Sequence, residues 1–84
     1  MSRQTHKVKI EGKEYTFQRL PVMEGLKLRE RCRTQGDLDT IRFYTELLEH
    51  IVISPKGGIE AFETNYELEE VMKAVIDFQY GKGK

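Results

Sequence analysis

The sequence of 84 residues contains no tryptophan, two prolines and a single cysteine, Cys32. One cysteine excludes a disulfide bond within the chain, which favours a reducing compartment. No apolar run approaches the roughly 20 residues that a transmembrane helix needs. The first ten residues, MSRQTHKVKI, lack the apolar core of a signal peptide. We therefore expect a cytoplasmic protein.

Neither sign of charge is in excess, because 14 Lys and Arg residues balance 14 Asp and Glu residues. A dedicated nucleic-acid-binding protein draws its affinity largely from basic excess, so this balance argues against that class. The two halves nevertheless differ. Residues 1–42 hold ten basic and six acidic side chains, a net of +4, whereas residues 43–84 hold four and eight, a net of −4. The split indicates either complementary faces, within the fold or between copies, or ordinary solvated helices.

The motifs that carry catalysis or metal binding are missing from the sequence. It has no CxxC, no HxxxH and no paired Cys/His spacing. The terminal GKGK lacks the glycine spacing and the Ser/Thr of a phosphate-binding loop. Three glutamates crowd residues 67–70, where a helix start accounts for them. We predict no catalytic residue, no cofactor and no metal, and a protein that works by binding.

The segment KLRERCR, residues 27–33, places four basic side chains beside Cys32. Successive residues of a helix are rotated by about 100°, so these side chains scatter around the axis, and Glu30 can pair with Arg33 at (i, i+3). This favours a solvated helix over a nucleic-acid-binding surface. Two flanking arginines could lower the pKa of the Cys32 thiol. The interpretation that we favour is a small buried apolar residue.

The N-terminal segment HKVKIEGKEYTFQRL predicts a two-stranded antiparallel β-hairpin over residues 5–20. Apolar and polar residues alternate on both sides of Gly12-Lys13, and glycine first in a two-residue loop suits a type II′ turn. That loop places Ile10 opposite Tyr15 and Val8 opposite Phe17. Since side chains alternate across a strand, these four residues share one face, which must cover the helical part of the chain.

Residues 22–80 predict three main helices. The first follows Pro21, which is favoured at a helix start, and runs from about Val22 to Arg33. Its expected apolar side consists of Val22, Met23, Leu26, Leu28 and Cys32. Residues 34–37, TQGD, are predicted as a loop.

The second helix is capped by Asp37 or Asp39 and stops in SPKGG, residues 54–58. A short helical turn is expected at 59–62, and the last helix follows a cap at Thr64 or Asn65. The apolar positions of the second helix are Ile41, Phe43, Tyr44, Leu47, Leu48, Ile51 and Val52, and those of the last helix are Leu68, Val71, Met72, Val75, Ile76, Phe78 and Tyr80. The sequence thus predicts a single α+β domain over residues 1–84, with a frayed tail at 81–84.

The apolar faces of the second and last helices each carry more than one stripe. A hairpin and three helices offer a small core to cover them, so part of this surface could be left for a partner. The alternative is that all of it is core.

Five segments together carry a family resemblance. In chain order they are V-K-I-E-G-K-E-Y, R-L-P, K-L-R-E-R-C, F-Y-T-E-L-L-E-H-I-V-I-S-P-K and L-E-E-V-M-K-A-V-I-D-F. In their order along the chain and in their residues, they resemble segments of the small tail assembly chaperones of long-tailed bacteriophages and prophages of Gram-positive bacteria. The resemblance spans nearly the whole chain, and its most specific part is Phe43–Lys56.

The resemblance implies an adaptor in viral morphogenesis. Such chaperones bind the long helical tape measure protein, keep it soluble, help recruit tail tube subunits and are absent from the finished virion. The implied partners are the tape measure protein, the tail tube protein and a frameshifted longer form of the chain itself, with no cofactor, nucleic acid or membrane. The implied location is the cytoplasm of the bacterial host. The opposite charges of the two halves add the hypothesis of a homo-oligomer.

A tape measure helix would lay its apolar stripe into a groove of the chaperone. The predicted partner-binding residues are Leu26, Phe43, Leu47, Met72, Val75 and Phe78. Two other functions stay open from the sequence: a minor structural protein of the virion, for head–tail joining or tail completion, and a small nucleic-acid-binding regulator.

Overall fold

The computed structural model describes residues 5–81. As the sequence predicts, the fold is α+β, with an antiparallel hairpin followed by three helices and a 3-10 turn at Ile59–Ala61. The hairpin strands are β1, Thr5–Ile10, and β2, Lys13–Gln18, and the helices are α1, Val22–Arg31, α2, Thr40–His50, and α3, Asn65–Tyr80.

The loop of the first hairpin is Glu11-Gly12, one residue earlier than predicted. Both residues have positive φ, 50° and 81°, which is characteristic of a type I′ turn. The observed pairs are Val8 with Tyr15 and His6 with Phe17, so the predicted pairs Val8–Phe17 and Ile10–Tyr15 are wrong. Because the pairing differs by two residues, the side chains stay on the predicted face.

A third strand, absent from the sequence-based prediction, completes the sheet. Strand β5, Val52–Ser54, pairs antiparallel with β2 and gives the order β1-β2-β5. It follows closely after α2, because Gln18 of β2 forms hydrogen bonds with the backbone at the end of that helix. The Gln18 backbone N–H donates to the Ile51 carbonyl at 2.8 Å, and the Gln18 Nε2 donates to the His50 carbonyl at 3.0 Å. The sheet is therefore one strand wider than predicted.

A second small hairpin joins α1 to α2, where the sequence predicted the end of a helix and a loop. Its strands are β3, Arg33–Thr34, and β4, Asp37–Leu38. Gln35-Gly36 forms its turn with positive φ at both residues, 54° and 86°. Helix α1 consequently ends at Arg31 and not at Arg33.

For α2 and for α3, one of the two predicted capping residues is the observed N-cap. The Asp39 carboxylate accepts from the Arg42 backbone N–H at 3.2 Å and caps α2. The Thr64 hydroxyl accepts from the Glu67 backbone N–H at 3.1 Å and caps α3. The predicted tail at 81–84 lies outside the described residues except for Gly81, which follows α3. No helix formed by residues 5–81 is long and apolar enough to cross a membrane.

The core lies where the inner face of the sheet meets α2 and α3. Its buried apolar members are Tyr15, Phe17, Leu20, Leu28, Cys32, Phe43, Leu47, Leu48, Ile51, Val52, Val71, Met72 and Val75. Helix α1 contributes only Leu28 of this set, and Cys32 directly follows its last residue. The first helix is thus the least embedded of the three.

Candidate partner-binding surface

Four of the six predicted partner-binding residues lie in the core. Phe43, Leu47, Met72 and Val75 are all buried, and Leu47 has no exposed surface. Such side chains cannot touch a partner unless the core opens, so we no longer assign them to a binding surface. The strand β5 explains the error, because it and the hairpin supply a wall that the sequence-based prediction lacked.

Phe78 is half-buried, and two other side chains cover its ring. The His6 ring stacks on it with centroids 5.5 Å apart, and the Arg19 guanidinium lies 4.5 Å from its centroid. This arrangement gives Phe78 a structural role between β1 and α3. Apart from Ile41, which is 72% exposed near the start of α2, the expected apolar surplus of α2 and α3 is therefore largely absorbed within the chain.

The sixth residue, Leu26, is exposed and belongs to a cluster on α1. Val22, Met23 and Leu26 are 78%, 61% and 42% exposed. We name these three residues the α1 ridge. Steps of 100° place them on the side of the helix away from the buried Gly25 and Leu28, so the five apolar positions of α1 do not share one side as predicted.

Hydrogen bonds from the end of α3 fix the position of α1. The Leu20 backbone N–H donates to Gln79 Oε1 at 2.8 Å, and Gln79 Nε2 donates back to the Leu20 carbonyl at 3.1 Å. The Tyr80 hydroxyl donates to the Gly25 carbonyl at 2.6 Å. A Cβ atom at Gly25 would lie 2.8 Å from Gln79 Nε2, so glycine permits this close approach. We name these three hydrogen bonds the α3 clamp.

A shallow recess continues the α1 ridge toward the end of α3. Val22, Leu26, Gln79 and Tyr80 line it, together with Arg29. The Arg29 guanidinium lies 4.8 Å from the centroid of the Tyr80 ring, a cation–π contact that holds this charge at the edge of the recess. The ridge and recess together can accept apolar side chains and an acidic group.

The basic segment 27–33 is distributed around α1, as its spacing predicts. Arg31 pairs with Glu46 at 2.8 Å, and Arg33 pairs with Glu30 at 3.3 Å in the predicted (i, i+3) arrangement. Two of its four cations are therefore already bound to carboxylates of the chain.

Cys32 is a buried apolar residue, which confirms the favoured interpretation. Burial raises the pKa of its thiol, and the Glu46 carboxylate raises it further, whereas Arg42 and Arg31 lower it by less. The alternative of a thiol with a lowered pKa is therefore wrong. The loss of hydration on burial thus has a larger effect on the pKa of the thiol than the positive charges of the two arginines.

The buried thiol predicts slow labelling of Cys32. An opening that costs about 3 kcal/mol slows a reaction about 100-fold, and the core position of Cys32 calls for an opening at least this costly. We expect the thiol to react with a disulfide reagent at pH 8 roughly 100-fold or more slowly in the native protein than in urea. Stopped-flow absorbance measures both rates. Equal rates in the two states would contradict the burial of this side chain.

Within residues 5–81, no three His, Cys, Asp or Glu side chains come together in a way that could hold a metal ion. No protein-family model, curated protein or solved structure matches this chain.

The sequence contained a signal for the α1 ridge that the prediction did not use. Gly25, Leu28 and Cys32 recur at i, i+3 and i+7, which places them on one line of a helix. A glycine inside a helix weakens it by about 1 kcal/mol relative to alanine, so it indicates close packing at that line. The ridge residues fall outside the line and are left for solvent.

Proposed function

We propose that this protein is a tail assembly chaperone of a long-tailed bacteriophage or prophage of Gram-positive bacteria. In this role it binds and solubilises the tape measure protein and helps recruit tail tube subunits in the bacterial cytoplasm. The observation that supports a binding role is the α1 ridge, in which three large apolar side chains face solvent on a helix held by the α3 clamp. The family resemblance of the sequence supports the identity of the client.

The client would place an apolar helical stripe across the α1 ridge. Covering a large apolar side chain contributes roughly 1.5–3 kcal/mol, but association itself costs about 4–15 kcal/mol. One ridge therefore binds weakly, and a long client gains affinity by engaging several copies at once. Arg29 at the edge of the recess favours a stripe flanked by acidic residues.

The opposite net charges of the two halves of the chain favour the assembly of copies side by side on one client. The ridge lies in the half with a net charge of +4, and the acidic start of α3, with Glu67, Glu69 and Glu70, lies in the half with −4. Contacts between unlike ends of successive copies would extend along a client. A strict monomer in sedimentation, with and without client, would remove this part of the proposal.

Charging the ridge is expected to abolish client binding without unfolding the chaperone. In the double variant Met23→Glu, Leu26→Glu, two carboxylates replace exposed apolar groups, so unfolding free energy should change by less than about 1 kcal/mol. Co-expression with a tape measure fragment measures the effect: the fragment should be soluble with the unmodified chain and insoluble with the variant.

The matched control is Tyr66→Glu, which charges another exposed large side chain, at the start of α3. We expect it to keep the fragment soluble. If both variants act alike, the α1 ridge has no special role. If the unmodified chain leaves the fragment insoluble, the proposed function is itself wrong.

Mass spectrometry of purified particles separates the proposal from the structural alternative. A chaperone that leaves before completion is absent from the virion. Detection of this chain in stoichiometric amounts would instead support a head–tail joining or tail completion protein.

A further inference from the structure

A second cavity, distinct from the α1 ridge, opens between β2, the end of α2 and the segment after β5. Its volume is about 180 Å³, on the scale of one large side chain. Its apolar walls are Tyr15, Leu48, Val52, Ala61 and Phe62. The rings of Tyr15 and Phe62 are nearly parallel, with centroids 6.5 Å apart. The cavity is therefore a built apolar recess against the core.

One of the polar side chains that line this cavity has no hydrogen-bond partner among the described residues. Tyr15 is 2% exposed and lines the cavity, yet its hydroxyl makes no hydrogen bond with any residue of 5–81. No buried side-chain nitrogen or oxygen in that range lacks a partner, so the small exposed area of Tyr15 includes the hydroxyl. A nearly buried hydroxyl without a partner can donate to an acceptor that enters beside it.

The charged residues that line the cavity are both lysines. Lys13 is paired with Glu67 at 3.2 Å. Lys56 donates to the Glu49 backbone carbonyl at 2.9 Å, and no carboxylate among the described residues pairs with it. Lys56 thus keeps an ammonium charge at the mouth that an incoming anion can neutralise.

The cavity adjoins a larger recess. A neighbouring depression of about 420 Å³ shares Leu48, Lys56 and Gly57 with it and extends along α2 past Thr45 and Glu49. The cavity alone is smaller than the roughly 300–1,000 Å³ of a typical small-molecule site. The adjoining recess fits a chain segment that passes over the mouth and inserts one side chain.

We infer that this cavity binds a protein segment that inserts one leucine- or phenylalanine-sized side chain and pairs an adjacent acidic side chain with Lys56. The apolar walls recognise the inserted group, and the Tyr15 hydroxyl donates to a carbonyl or carboxylate oxygen beside it. The site does not depend on the α1 ridge or on the identity of the client.

Peptide titration of the purified chain tests the inference. The probe is acetyl-Gly-Glu-Phe-Glu-Gly-amide, and binding is followed by the backbone amide signals of Gly57, Gly58 and Phe62 in two-dimensional NMR spectra. We expect the chemical shifts of these amides to change saturably with peptide concentration. The peptide with alanine in place of phenylalanine should have a dissociation constant at least about tenfold larger. A peptide with lysine in place of both glutamates should also bind about tenfold more weakly.

Two variants locate the site. Lys56→Glu should weaken binding of the acidic peptide about tenfold and improve binding of the lysine peptide. Ala61→Leu adds volume at the wall and should weaken every phenylalanine peptide. The matched control is Lys73→Glu, which changes the same charge on the exposed side of α3.

Three outcomes overturn the inference. They are shifts without saturation, equal binding of the phenylalanine and alanine peptides, and binding of free 3-phenylpropionate as tight as that of the peptide, which would assign the cavity to small carboxylates. If Ala61→Leu fails to fold, the charge reversal at Lys56 still decides the result.

Discussion

Replacing Leu47 by alanine is expected to lower the free energy of unfolding by about 2–5 kcal/mol. The side chain has no exposed surface and lies on α2 among the buried residues that face the sheet and α3. Its removal loses transfer free energy and leaves a cavity, which the surrounding structure closes only in part. For a chain of 84 residues, a total stability of about 4–12 kcal/mol is usual, so this one change removes a large part of it. Urea denaturation followed by circular dichroism measures the effect.

The matched control is Leu26→Ala, which removes the same atoms from the α1 ridge. Leu26 is 42% exposed, so we expect a loss below about 1 kcal/mol. The two leucines were both predicted as partner-binding residues, and this pair separates them by role. Equal losses at the two positions, or a loss below about 1 kcal/mol for Leu47→Ala, would contradict the core described for this chain.

The elements that sequence reasoning predicted correctly are those set by local chemistry. Alternation around a glycine indicated the first hairpin, and helical spacing indicated α2 and α3. The cap at Thr64 was among the predicted ones because a side-chain oxygen ahead of a helix is a local signal. Such features need only neighbouring residues to be recognised.

The features that were missed depend on contacts distant in sequence. Strand β5 is three residues long and owes its form to pairing with β2, more than 30 residues earlier. Val52 looked like the continuation of a helix because Ile51 and Val52 follow Leu47 and Leu48 at the helical spacing of four residues. The hairpin register was missed because Glu11 adopts positive φ, which is uncommon outside glycine, asparagine and aspartate.

The candidate site also combines a feature that the local sequence indicated with one that depends on distant contacts. The sequence indicated that apolar surface exists on all three helices, but only packing decides which stripe is covered. The sheet and α3 cover most of the apolar side of α2, whereas Gln79 and Tyr80 at the end of α3 hold α1 through side-chain hydrogen bonds to backbone groups of Leu20 and Gly25. A helix held by polar contacts keeps more of its apolar side chains in solvent. The ridge is therefore on α1, from which the prediction took only Leu26 as a partner-binding residue.

Replacing Gln79 by leucine is expected to lower the free energy of unfolding by about 2–3 kcal/mol, since both backbone groups of Leu20 then lose their partners. The groups are partly buried, so water replaces the lost bonds only in part. Because the α3 clamp positions α1, solubilisation of the tape measure fragment should also fall at temperatures where the variant remains folded. Denaturation and co-expression measure the two effects, and Lys73→Leu, an exposed change on the same helix, is the control.

The variant Gln79→Glu tests whether the clamp acts through its hydrogen bonds. A carboxylate can accept from the Leu20 N–H but meets the Leu20 carbonyl with a second acceptor, so folding should raise its pKa above the usual value of about 4.3. The neutral form of this carboxyl therefore stabilises the fold at pH values below about 4.3. This stabilisation is lost as the pH rises through the higher pKa that the carboxyl has in the folded state. We expect the difference from the unmodified chain to be smaller at pH 4 than at pH 7. A difference independent of pH, together with an unchanged Gln79→Leu variant, would show that packing and not the paired amide holds α1 on α3.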